Sequence, residues 1–150
     1  MAATTFHQQL LQIVSDQLNA LPSVYAGNVH IERADAFDRD ECPGINLVLG
    51  DARLDSIGSD GQWDLVRADV AVLLKLHTRG DPHTQLADPA IGDANAALMT
   101  DPSLGGYALR LRLVATRKQQ APADGTAGIY ELEYRVTVTV NEATLALMPA

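Results

Sequence analysis

Gln62–His77, QWDLVRADVAVLLKLH, is the stretch on which the fold turns. Taken by twos, Asp64, Val66, Ala68, Val70, Val72, Leu74 and Leu76 form one set, apolar after its first member. The alternate set, Trp63, Leu65, Arg67, Asp69, Ala71, Leu73, Lys75 and His77, mixes charge with a few apolar groups. A period of two over this length predicts a long β-strand with one face on a core and the other partly wet. Two later stretches repeat it. Tyr107–Thr116 sets Tyr107, Leu109, Leu111, Leu113 and Ala115 against Arg110, Arg112 and Thr116. Ile129–Asn141 sets Tyr130, Leu132, Tyr134, Val136, Val138 and Val140 against Glu131, Glu133, Arg135, Thr137 and Thr139. The sheet therefore has an apolar face that needs helices and a charged face that meets water or a partner.

The helices are legible on either side. Thr5-Phe6-His7-Gln8 fits a capping box, and Phe6, Leu10, Ile13, Val14, Gln17, Leu18 and Leu21 recur at helical spacing. The first helix is expected over Thr5–Ala20, ended by Leu21-Pro22. Asp88-Pro89 reads as a helix start, with Ile91, Ala94 and Leu98 as its stripe, so the second helix is expected over Pro89–Met99. Between them, Asn28–Arg33, Ile45–Leu49 and Ala52–Gly58 read as short strands of an antiparallel meander, turned at Gly50-Asp51 and Ser59-Asp60-Gly61. Part of this meander is free to project as a hairpin arm. Thr78–Asp88 and Gln119–Ala127 read as loops, and Leu145–Ala150 as a partly ordered tail. The expected fold is α+β, one domain over 1–150, with a mainly antiparallel sheet and two helices packed on one face.

Composition narrows the function. The chain carries 11 Lys and Arg against 19 Asp and Glu, a formal charge of −8, which argues against a surface that grips nucleic acid. Residues 32–64 hold nine acids and three bases, so this segment alone is −6. No segment is apolar enough to span a membrane, and the N-terminus lacks the basic and apolar blocks of a signal peptide. The single Cys42, between Glu41 and Pro43, excludes an internal disulfide and makes a poor nucleophile, because neighbouring acids raise a thiol's pKa.

Site motifs are scarce. His7, His30, His77 and His83 lie in unrelated contexts, and only His77 and His83, flanking one loop, merit attention as a metal pair. Asp38-Arg39-Asp40-Glu41 lacks the Gly and final Glu of a calcium loop. Leu104-Gly105-Gly106 stands after a helix and before a strand, the reverse of a dinucleotide site, and reads as a helix C-cap with φ > 0. No catalytic, cofactor or metal site is expected, and the chain is not expected to be an enzyme. Arg67, Arg110, Arg112 and Arg135 share the wet face with Asp69, Glu131 and Glu133, either as cross-strand pairs of a monomer or as a surface for a neighbouring copy.

The order of elements, with the run Ala97-Leu98-Met99-Thr100-Asp101-Pro102-Ser103-Leu104-Gly105-Gly106 leading from helix to strand, resembles the tail terminator proteins of long-tailed bacteriophages, the family that includes the lambda-like terminator. The resemblance covers nearly the whole chain as an order of elements. Tail-completion and head–tail joining proteins share the architecture. It implies a structural virion protein, made in the host cytoplasm, forming a hexameric ring on the head-proximal end of the tail tube. There it stops tube polymerisation and offers a surface to the head–tail connector protein, while DNA passes through the lumen without specific binding. The family carries no catalytic residues across. On physical grounds Asp38, Asp40, Glu41, Asp51, Asp55 and Asp60 are expected at the lumen or rim, where negative charge repels phosphates, and Arg67, Arg110, Arg112 and Arg135 at the subunit interface. A small acidic adaptor that binds a basic partner is the alternative of another class.

Overall fold

The computed structural model describes residues 5–20, 29–34, 43–56, 65–79, 83–120 and 127–149. Its elements are α1 (Phe6–Asn19), β1 (Val29–Ile31), β2 (Gly44–Ser56), β3 (Leu65–Arg79), α2 (His83–Met99), β4 (Ala108–Gln120), β5 (Ala127–Asn141) and β6 (Leu147–Met148). The fold is α+β, as expected. The strands form one sheet in the order β1-β2-β3-β5-β4, with β6 paired to β5.

The long strands behave as their alternation requires. β3 and β5 pair antiparallel down the centre, and six apolar pairs face the helices: Val66↔Val140, Ala68↔Val138, Val70↔Val136, Val72↔Tyr134, Leu74↔Leu132 and Leu76↔Tyr130. All twelve side chains are buried. α2 lies over β3 and β5, while α1 covers β1 and β2 and packs against α2. Phe6, Leu10, Leu11, Val14 and Leu18 of α1 join Ala90, Ala94, Ala97 and Leu98 of α2 in the same core. The small residues of α2 let its backbone approach the sheet. Because β3, α2 and β4 are consecutive while β5 sits between the two strands, the centre is a split β-α-β unit.

Several expectations are corrected. Ile45–Leu49 and Ala52–Gly58 are not two strands: β2 runs unbroken through Gly50-Asp51, where the register with β3 shifts between Leu49↔Val72 and Ala52↔Val70. The extra residue is taken up as a bulge opposite Ala71. A Cβ on Gly50 would stand 2.9 Å from that of Ala71, so the bulge needs glycine there. β1 pairs with β2 in parallel, not in an antiparallel meander. Asn46 secures this join: its side-chain carbonyl accepts from Arg33 N–H at 2.8 Å, and its amide donates to Arg33 O at 2.9 Å. The hairpin that the sequence leaves free to project is paired, among the described residues, out to Ser56↔Val66. Leu54 is exposed near that end, and the tip, 57–64, lies outside the described residues.

The ends of both helices also differ. Thr5 makes no side-chain cap; the N–H of Phe6 instead donates to Leu145 O at 2.7 Å. Leu147 N–H donates to Gln9 Oε1 at 2.8 Å, and Leu147 is buried, so the expected loose tail is a strand tied to α1. α2 begins at His83, and Pro89 lies inside it at an exposed position, where water can replace the lost backbone bond. Much of the expected loop over Thr78–Asp88 is therefore strand or helix. β4 likewise extends to Gln120, shortening the loop expected over Gln119–Ala127.

Leu74→Ala is expected to destabilise the chain by about 2–5 kcal/mol, as for a fully buried aliphatic side chain in a closed core, measured by urea unfolding at equilibrium.

Candidate functional site

The helices carry no Lys or Arg. Nine of the eleven bases lie on strands, against five acids, so the sheet is the positive part of an acidic chain. Most of this charge stands on the face away from the helices, where register sets the rows. Asn46, Lys75, Glu131 and Arg117 share one row; Arg53, Asp69, Thr137 and Arg110 share another. Asp55 stands opposite Arg67, and Arg112 opposite Arg135.

A line of alternating charge crosses this face. Arg117 donates to Glu131 and Glu133, each at 3.0 Å; Arg135 lies 3.4 Å from Glu133 and 3.6 Å from Asp51. Hydrogen bonding first to Glu133 and then to Glu131 raises the Arg117 guanidinium above its ordinary pKa. Arg117 is missed by strict alternation because β4 has two register shifts, between Ala108 and Arg110 and between Leu113 and Ala115. The second moves Ala115 and Arg117 onto the charged face and sets Thr116 opposite the core residue Leu132. A β-branched residue followed by Ala in an otherwise alternating run is the only sequence trace of it.

The expected interface arginines all lie on the charged face. Arg135 is half-buried and paired, whereas Arg67, Arg110 and Arg112 are exposed and make no ion pair among the described residues. Of the expected rim acids, Asp51 and Asp55 are exposed on β2, and Asp51 shares Arg135 with Glu133. The structure thus brings Asp51 beside one of the arginines. Asp38, Asp40, Glu41 and Asp60 lie outside the described residues, as does Cys42.

At the far end of the same face, Lys75, His77 and Arg33 gather. Partial burial, then the charges of Lys75 and Arg33, lower the His77 pKa to about 4. His83 opens α2. Among the described residues, no group of three or more His, Cys, Asp or Glu is placed to hold a metal ion, and no helix is long and apolar enough to cross a membrane.

The run from α2 to β4 is a closed turn rather than a helix cap. Asp101 accepts from Ser103 N–H at 3.1 Å, from the Ser103 hydroxyl at 2.5 Å and from Gly105 N–H at 2.8 Å, which together hold its carboxyl below the ordinary value, the hydroxyl contributing most. Leu104, Gly105 and Gly106 all take positive φ, and Leu104 is fully buried despite it. The end of α2 is met from elsewhere: the Gln17 amide of α1 donates to the carbonyls of Leu98, Asp101 and Ala97 at 2.8, 2.9 and 3.3 Å. Two grooves flank the helices. One, of about 440 Å³, lies between α2 and the β4–β5 pair, with Asp88, Ile91, Lys118 and Tyr130 in its lining. The other lies among Gln9, Gln12, Ile13, Tyr107 and Leu147. The first also includes Arg117 and Glu131, already joined as an ion pair.

The architecture is that of an α+β sheet with both helices on one face, and solved structures share it. A chain of the virion of a native gene transfer agent particle superposes with TM-score 0.53 and 14% identity, over 91% of this chain and 99% of that one. A second solved structure matches with TM-score 0.51 and 13% identity, over 89% of this chain and 96% of that one. At such identity the likeness is one of fold. No protein-family model and no curated protein sequence matches the chain.

Because His77 is held neutral in the fold while the unfolded residue titrates near 6.5, the unfolded chain takes up the proton first as pH falls. Stability from this site is complete above pH 6.5 and declines between 6.5 and about 4. His77→Gln should flatten that part of the stability–pH profile in thermal unfolding scans. Asp101→Asn acts at lower pH: the carboxylate's contribution is present above its unfolded pKa of 3.8 and is lost as acid protonates it, so the variant should unfold at lower temperature than the parent at pH 7, with the gap closing in strong acid.

Proposed function

We propose that the chain is a structural subunit of a phage-like virion, and within that class a tail terminator. The observation that carries this is the likeness of fold to a chain of a gene transfer agent virion along almost the full length of both. The run Asp101–Gly106, as a closed turn between α2 and β4, supports the same reading, since it bore the resemblance in the sequence.

In this reading six copies close a ring on the head-proximal end of the tail tube. One rim meets the tail tube protein and ends its polymerisation; the other meets the head–tail connector protein. DNA passes through the lumen without being held. We assign the repelling charge along that path to Asp38, Asp40, Glu41, Asp51, Asp55 and Asp60. The second reading, a head–tail connector or tail-completion subunit, rests on the same fold likeness and differs in the surface it binds.

The deciding experiment adds purified protein to polymerising tail tube subunits and images the products. Binding at a single tube end with arrest of growth is the expected result. Growth that continues unchanged, with binding instead to head-side connectors, replaces the terminator reading by the connector one. Lysine substitutions at several of these six acids should leave rings intact and reduce DNA delivery by assembled particles; undiminished delivery overturns that assignment.

A further inference from the structure

We draw no further inference here: the strongest candidate, the groove between α2 and the β4–β5 pair, has Arg117 and Glu131 of its lining already joined as an ion pair, and nothing in the structure shows what covers it.

Discussion

The β3–β5 seam is the interaction on which the rest depends. Six apolar pairs in register, from Val66↔Val140 to Leu76↔Tyr130, form a continuous floor that both helices need. Each Val or Leu among them contributes about 1.5–3 kcal/mol when taken from water, so the seam supplies a large share of the gain available to the chain. It also makes register unforgiving. A slip of one residue in β5 would turn Val136 and Val138 toward the charged face and bring Glu133 and Arg135 into the core. The charges on the other face are therefore positioned by the same packing that builds the core.

Around that seam the chain is closed by polar contacts between distant segments. Gln17 of α1 meets the carbonyls at the end of α2, Gln9 holds the N–H of Leu147, and Leu145 accepts from Phe6. Tyr134, buried in the seam, donates from its hydroxyl to Asn95 of α2 at 3.0 Å. These contacts satisfy groups that helix ends leave without partners, and they locate α1 relative to α2 and to the C-terminal strand. The closed turn at Asp101–Gly106 does the same for the passage from α2 to β4, fixing where the edge strand begins.

The outcome is a domain whose charge is divided by element. Helices without a single base cover one face, and a sheet richer in bases than acids shows the other. Within the sheet, Glu131 and Glu133 pair with Arg117 and Arg135, while Arg110 and Arg112 of β4 make no ion pair among the described residues. Among the described residues, the outer sides of β2 beyond Leu47 and of β4 have no neighbouring strand.

The sequence by itself determined the long strands, the face each turns inward, the helix pair that covers them, and the place of the four arginines on the wet face. All of these follow from local periodicity, which is a property of neighbours in the chain. What only the tertiary structure decided concerns partners far apart in sequence. The parallel placement of β1, the insertion of β5 between β3 and β4, and the ordering of the tail as β6 each depend on which edges find one another. The bulges at Gly50-Asp51, Leu109 and Val114 belong to this second group as well. A bulge is defined by the strand opposite it, so a single strand read alone carries almost no sign of it, and with it goes the phase of every residue beyond. That is why Arg110 and Arg112 could be assigned to a face from sequence and Arg117, past the second shift, could not.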